Sequence, residues 1–353
     1  AETGESLSEI LPAASMGSAI AYNQPGNGDV IAGLDGAWVA LEHDENHDGV
    51  IQRHDGDYTY LYGGMRRGGN HVYAWDVTEP RSPKILFDLS PQAHGLEALA
   101  DTWSTPLLTK LQLPGRPKPE TLLVFGGGYD RRLDAPGFSS HLNCHETAAT
   151  CGAGIYFVKA SGADAGKLLW RVDAQTGINE HTQASELTAP VVAPLRSVDT
   201  NGDGIAEALY AVDIEGRVFR LRASSDAGQV GLQVSLLAEL GAADALQWDR
   251  AFFFAPSIAA TAVDNQGTQV TLALGSGNFT QPGKVSDRGL LYLLKDHPAT
   301  AVDQPVTPES KQAIWISPDA QTKNSSISES SMPLAQSPLW VLPLQIPGEK
   351  LIS

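Results

Sequence analysis

The chain has 353 residues, of which 18% are charged, with 35 glycines, 22 prolines and a formal net charge of −17. That length holds two average domains or one large barrel or propeller, and the turn-rich, weakly charged composition suits many short strands. The acidic excess repels phosphate backbones and argues against nucleic acid as a partner, and no apolar run reaches the length of a membrane span.

Residues 1–35 are polar and rich in Gly, Asn and Pro, with one apolar patch at Ile10 to Pro12, and read as an N-terminal arm or linker. The chain opens Ala-Glu-Thr-Gly with no initiator Met and no visible signal peptide, as a mature product or excised segment does. Trp38 to Glu42 reads as the first strand of a single domain over 36–353.

A D-x-N-x-D-G run comes next, from Asp44 to Asp57. Asp44, Asn46 and Asp48 stand at positions 1, 3 and 5, Val50 offers a carbonyl at position 7, and Gln52 and Asp55 hold positions 9 and 12. Hard cations such as calcium take six to eight oxygens at about 2.3–2.6 Å, and a glycine at position 6 permits the sharp turn. This loop is therefore a second-choice calcium site, the alternative being a solvated acidic turn.

Alternating apolar and polar residues mark strands at Tyr58–Gly63 and His71–Val77. The glycine-rich stretch between them, with Arg66 and Arg67, fits neither a P-loop nor a dinucleotide fingerprint and reads as a hairpin turn whose arginines reach a carboxylate. From there the chain repeats. A proline preceded by a small residue opens units at Pro106, Pro190 and Pro256, and Pro338 is read as opening a further one. Each of the first three units continues with a strand ending at small residues and then a glycine-led aromatic strand, as in Gly154–Val158, Gly216–Leu221 and Gly289–Leu294. Four short antiparallel strands per unit, at irregular spacing, are the pattern of propeller blades. The helical period near Leu236–Leu246 is too short for a domain, and the tail from about 321 reads as a partial blade.

Cys144 and Cys151 flank a six-residue polar loop and read as a local disulfide, which suits an oxidising compartment. A zinc reading would combine His141, Cys144 and His145 with Cys151 as fourth ligand. No nucleophile elbow or zinc-helix motif occurs. The aromatic residues Tyr73, Trp75, Tyr156, Phe157, Phe219 and Tyr292 fall on strand patterns and are expected in the core.

The first-choice calcium loop is Asp199-Thr-Asn-Gly-Asp-Gly-Ile-Ala-Glu207. Asp199, Asn201, Asp203 and Glu207 supply side-chain oxygens at positions 1, 3, 5 and 9, and Ile205 offers the position 7 carbonyl. The loop leads into a strand rather than the helix of an EF-hand, and Tyr210 stands where that motif places its bidentate glutamate.

This loop feeds a Y-A-x-D-x-x-G-x-x-F-R pair of strands, Tyr210 to Arg220. Together with YLYGGMRRGGNHVYAWDVTEP, LLVFGGGYD and GAGIYFVKASGADAGKLLW, it resembles the C-terminal propeller of PilY-type proteins, the tip-associated adhesins of bacterial type IV pili, over roughly residues 36–300. The resemblance implies an all-β fold, a modified β-propeller of about seven blades, some irregular, with inserted loops. It implies calcium (Ca2+) on Asp199, Asn201, Asp203 and Glu207, linked to pilus extension or retraction. It further implies no catalytic activity, minor pilins or a pilus tip complex as partners, contact with host or abiotic surfaces, and an extracellular location after export through the periplasm. No Arg-Gly-Asp tripeptide is present. The repeat style also resembles quinoprotein alcohol dehydrogenases, whose adjacent cysteine pair is missing here; a calcium-dependent carbohydrate-binding propeller is the other alternative.

Overall fold

The computed structural model describes residues 5–16, 33–134, 151–175, 180–223, 231–241, 251–263, 267–277, 279–280, 289–310, 312–317, 326–327 and 337–344. Among them the strands form four sheets, against the about seven blades expected for the whole domain. The first sheet is an antiparallel meander of β1 (Trp38–His43), β2 (Tyr58–Gly64), β3 (Val72–Asp76) and β4 (Lys84–Leu89). The second runs β5 (Leu107–Leu111), β6 (Glu120–Gly126), β7 (Ile155–Lys159), β8 (Leu168–Asp173) and β9 (His181–Gln183), the last parallel to its neighbour. The third is again a four-stranded meander, β10 (Arg196–Val198), β11 (Ala208–Val212), β12 (Arg217–Ala223) and β13 (Leu232–Glu239). The fourth contains β14 (Ser257–Val263), β15 (Gly267–Gly275), β16 (Leu290–Asp296), β17 (Ala313–Ser317), β18 (Ser326–Ile327) and β19 (Leu339–Pro343). The fold is the expected all-β, propeller-like one.

The sheets stack because central strands such as β6 and β11 are apolar on both faces. Along β6, Leu122 and Val124 pack with Leu209 and Phe219 of the third sheet, while Leu123 and Phe125 pack with Tyr62 and Val72 of the first. Strand β11 repeats the arrangement: Leu209 and Ala211 face the second sheet, and Ala208, Tyr210 and Val212 face Leu272 and Tyr292 of the fourth. Since side chains alternate along a strand, a run without polar interruption requires a neighbour on each side. The expected core aromatics Tyr73, Tyr156, Phe157, Phe219 and Tyr292 are all buried, and Trp75 is partly so.

The repeated pre-proline segments converge. Trp103, Ala189, Val192 and Phe253, each beside one of the repeat prolines, share one apolar cluster with Tyr129 and Ile214. Ser104 ties two repeats together, its hydroxyl donating to the Ala193 carbonyl at 3.1 Å and accepting from the Gly126 amide at 3.0 Å. The β2–β3 turn joins this cluster: the guanidinium groups of Arg66 and Arg67 lie 4.9 and 5.2 Å from the Trp103 ring, and Arg66 reaches Asp35 at 3.7 Å.

Two local expectations are corrected. Leu236 to Glu239 belongs to β13, because pairing with β12 outweighs a helical period of so few residues. Residues 242–246 of that stretch lie outside the described residues. The segment after Pro338 opens no separate sheet; β19 inserts between β16 and β17, taking up the hydrogen-bonding edge of β16. Cys151 is buried and disulfide-bonded, while Cys144, His141 and His145 lie outside the described residues.

A buried ionic contact joins the third and fourth sheets. Tyr210 and Arg220 are cross-strand partners, and both reach Asp296 at the end of β16: the Tyr210 hydroxyl donates at 2.8 Å and Arg220 Nη1 at 2.7 Å. Arg220, fully buried, also donates to the carbonyls of His297 and Thr300. The spacing of Tyr210 and Arg220 in the sequence is therefore that of an inter-sheet clamp. Removing one partner strands a buried charge, so Asp296→Ala is expected to lower stability by about 3–5 kcal/mol, and Tyr210→Phe by about 1.5–3 kcal/mol for a hydrogen bond to a charged group. Urea unfolding of the two variants beside the parent measures both, and equal, negligible losses would contradict the clamp.

Candidate metal centre

Both acidic loops are the first hairpin connection of a sheet. Residues 44–57 join β1 to β2, and residues 199–207 join β10 to β11. In each, the position 1 aspartate directly follows the incoming strand, and a carboxylate directly precedes the outgoing one: Glu207 before Ala208, and Asp57 before Tyr58.

The loops share an internal hydrogen-bond pattern, position by position. The amide at position 6 donates to the position 1 carboxylate at 2.8 Å in both, Gly204 to Asp199 and Gly49 to Asp44. The position 5 amide donates to the position 3 side chain, Asp203 to Asn201 at 2.8 Å and Asp48 to Asn46 at 3.0 Å. The position 7 amide donates to the position 5 carboxylate, Ile205 to Asp203 at 2.8 Å and Val50 to Asp48 at 2.7 Å. Position 4 is left-handed in both, Gly202 at φ 79° and His47 at φ 57°. Glycine suits this geometry because it has no Cβ penalty at positive φ; histidine there is uncommon.

The loops differ in how they close. Glu207 accepts from the Thr200 amide at position 2, at 2.5 Å, and from the Thr200 hydroxyl at 2.9 Å. In the longer loop the position 2 amide of Glu45 donates instead to Asp57, at 2.9 Å, whose second oxygen accepts from the Gln52 amide at 2.8 Å. Asp57 is 2% exposed. It takes the place of Glu207 in this pattern, and the short 3-10 turn Arg53–Asp55 lies between Gln52 and this closing residue. Asp55 lies beside His54, at 3.4 Å.

Sequence spacing missed Asp57 because it counted ligands from the loop's start. Counting back from the outgoing strand finds it.

Asp199, Asp203 and Glu207 bring one carboxylate oxygen each within 4.8 Å of one another, the one such grouping of three acidic, histidine or cysteine side chains among the described residues. Asn201 lies alongside, its amide donating to Asp203 at 3.2 Å. The loop is fixed to the neighbouring sheet by the Ala206 amide, which donates to the Lys110 carbonyl at 2.8 Å. The Gly204 and Gly202 amides hold the Asp199 carboxyl below its ordinary range, and the Gln52 and Glu45 amides do the same for Asp57. Three carboxylate oxygens are thus clustered in the shorter loop, open to solvent on two of the three residues, in a grouping that could hold a metal ion. In the longer loop Asp44 Oδ1 is buried without a hydrogen-bond partner among the described residues.

Comparison with solved structures decides what this arrangement of sheets and hairpins belongs to. The crystal structure of the Pseudomonas aeruginosa PilY1 C-terminal domain matches 99% of this chain and 68% of its own, with a TM-score of 0.60 at 17% identity. The chain has the fold of a PilY-type C-terminal domain. A curated sequence relative, the type IV pilus biogenesis factor PilY1 homolog of Xylella fastidiosa, is 22% identical over 175 residues. That match spans 48% of this chain but 10% of the relative's length. No family model matches the chain.

The geometry separates the candidate ligands of the longer loop. Asp57→Asn is expected to disorder that loop and weaken any cation binding there at least tenfold, whereas Asp55→Asn leaves it unchanged; amide hydrogen exchange of Glu45 and Gln52 with and without calcium reads the difference. In the shorter loop, a depressed Asp199 pKa means stability gained above the unfolded value and lost as pH falls through the folded one. Stability of the calcium-free chain should therefore fall on acidification below about pH 4, the ordinary aspartate range, and less steeply in Asp199→Asn, as followed by thermal unfolding in a pH series.

Proposed function

We propose that this chain is a calcium-binding, non-enzymatic β-propeller of a type IV pilus tip adhesin. In this reading it supports pilus biogenesis, calcium-linked control of extension and retraction, surface attachment and twitching motility. Its partners are minor pilins or the pilus tip complex, and host or abiotic surfaces; it acts outside the cell after export through the periplasm. The observation that carries the reading is the grouping of Asp199, Asp203 and Glu207 at a hairpin of a PilY-type fold. A sequence relative named for type IV pilus biogenesis supports the same direction.

The physical rationale is local. Three carboxylates held within 4.8 Å repel one another, and a divalent cation relieves that repulsion. The loop runs straight into β11, whose Tyr210 enters the Asp296 clamp, so ordering the loop stiffens the joint between two sheets. Calcium at concentrations far above its dissociation constant would then stabilise the domain by mass action. Asn201 and the Ile205 carbonyl complete the shell of the shorter loop. Asp44, Asn46, Asp48 and the Val50 carbonyl form the second site, with Asp57 in place of Gln52 and Asp55.

Calcium titration of the purified chain tests the reading, beside Asp203→Ala and Asp48→Ala. Two sites in the parent are expected, with one lost in each variant and the fold kept. In the full-length protein, expressed in its own piliated cells, Asp203→Ala should reduce twitching without lowering the amount of folded protein. Absence of calcium binding in the parent would overturn the metal assignment. Normal motility with Asp203→Ala would sever the site from pilus function.

A further inference from the structure

A cavity of about 640 Å³ lies away from both acidic loops. It is walled by the β4–β5 connection with Glu97 and Ala98, by Tyr156 of β7, by Arg171 and Asp173 of β8, and by Leu187 after β9. All of these belong to the first two sheets and their connections, and none takes part in the metal reading. The volume falls within the range of small-molecule sites.

The polar groups at the cavity are set as a ligand site would set them. Tyr156 is 2% exposed as a residue, and its hydroxyl, which makes no hydrogen bond to any described residue, is open to the cavity it lines. Gly154 keeps space at this hydroxyl: a Cβ there would stand 3.2 Å from the oxygen. Arg171 places Nε 3.6 Å from Asp173 and leaves its terminal nitrogens without a hydrogen bond to the described residues. Glu97 Oε1 accepts from the Gly95 amide at 2.9 Å and lies 3.5 Å from Nδ1 of His94, which also lines the cavity. Asp173 is itself held in place by the Gln175 amide at 2.9 Å and His181 Nε2 at 3.0 Å.

The balance of charge selects the ligand. Arg171 is already offset by Asp173 and Glu97, so an anion would add to an acidic surround, and a cation would meet the guanidinium. A neutral molecule whose hydroxyls both donate and accept satisfies a guanidinium, a carboxylate and a phenol side by side. Ala98, Ala153 and Leu187 supply an apolar wall for its C–H face. An extended peptide fits poorly, because β7 is paired on both edges and β8 lies between β7 and β9, leaving no free edge for strand addition. We propose that this cavity binds a neutral saccharide of one or two rings, with the Tyr156 hydroxyl, Arg171 and Glu97 as its polar contacts.

Saturation-transfer NMR on the purified chain tests this directly, using the methyl glycosides of glucose, galactose, mannose and N-acetylglucosamine together with lactose, maltose and chitobiose. At least one is expected to bind saturably, and Tyr156→Phe, Arg171→Gln and Glu97→Gln should each weaken it tenfold or more. Tyr156→Phe removes a hydroxyl with no partner among the described residues, so its melting temperature should match the parent's, which separates lost binding from lost folding. Binding should persist in Asp203→Ala and in EDTA, so that failure of the calcium reading and failure of this one remain distinguishable. No saturable binding by any of these sugars, stronger binding of glucuronate or an acidic peptide, or binding indifferent to all three substitutions would overturn the proposal.

Discussion

Two-sided burial governs this molecule. The central strands of the second and third sheets carry apolar side chains on both faces, as β11 does from Ala208 to Val212. A lone sheet would leave half of that surface in water, at roughly 25 cal/mol for each Å² left exposed. Each of these two sheets therefore needs a neighbour on either side, the second packing against the first and third and the third against the second and fourth. Successive meanders stacked face to face provide both, while short hairpins keep the chain close to its last strand.

That constraint also decides where chemistry can reside. The faces are occupied by packing, so polar clusters collect at strand ends and in connections. Both acidic loops lie at the first hairpin of a sheet, with the same hydrogen bonds in the same positions. The saccharide-sized cavity is likewise bounded by a connection and by the ends of β7 and β8. Where a charge is needed within the stack, it is neutralised at once. Arg220 is fully buried and meets Asp296 and two carbonyls. This contact is an ionic bolt between two sheets that otherwise meet through apolar packing and a few hydrogen bonds, such as Arg222 Nη1 to the Pro298 carbonyl.

Much of the fold was legible because strand periodicity and turn chemistry are local. Gly154 to Val158 and Gly216 to Leu221 announce strands in their own residues, and the small-residue-proline segments mark where units begin. The misreadings came where local signals were weak or ambiguous. Leu236 to Glu239 fits a helical period as well as a strand until β12 pairs with it. The Pro338 segment has the form of a unit opening, but its place was decided by the edge of β16, which lies much earlier in the chain.

Local sequence was enough to set the two acidic loops: a D-x-N-x-D-G run orders its carboxylates through bonds to amides a few residues away, whatever surrounds it. It was enough, too, for the all-β character, which comes from alternation within each strand. What those elements meet was settled by packing at a distance. Asp57 closes the longer loop because β2 returns to lie beside β1, and Tyr210, Arg220 and Asp296 converge because two sheets stack in register. Tyr156 faces a cavity with Glu97 and Arg171 for the same reason. Such contacts depend on chain segments brought together by burial, and no local pattern encodes the partner on the far side.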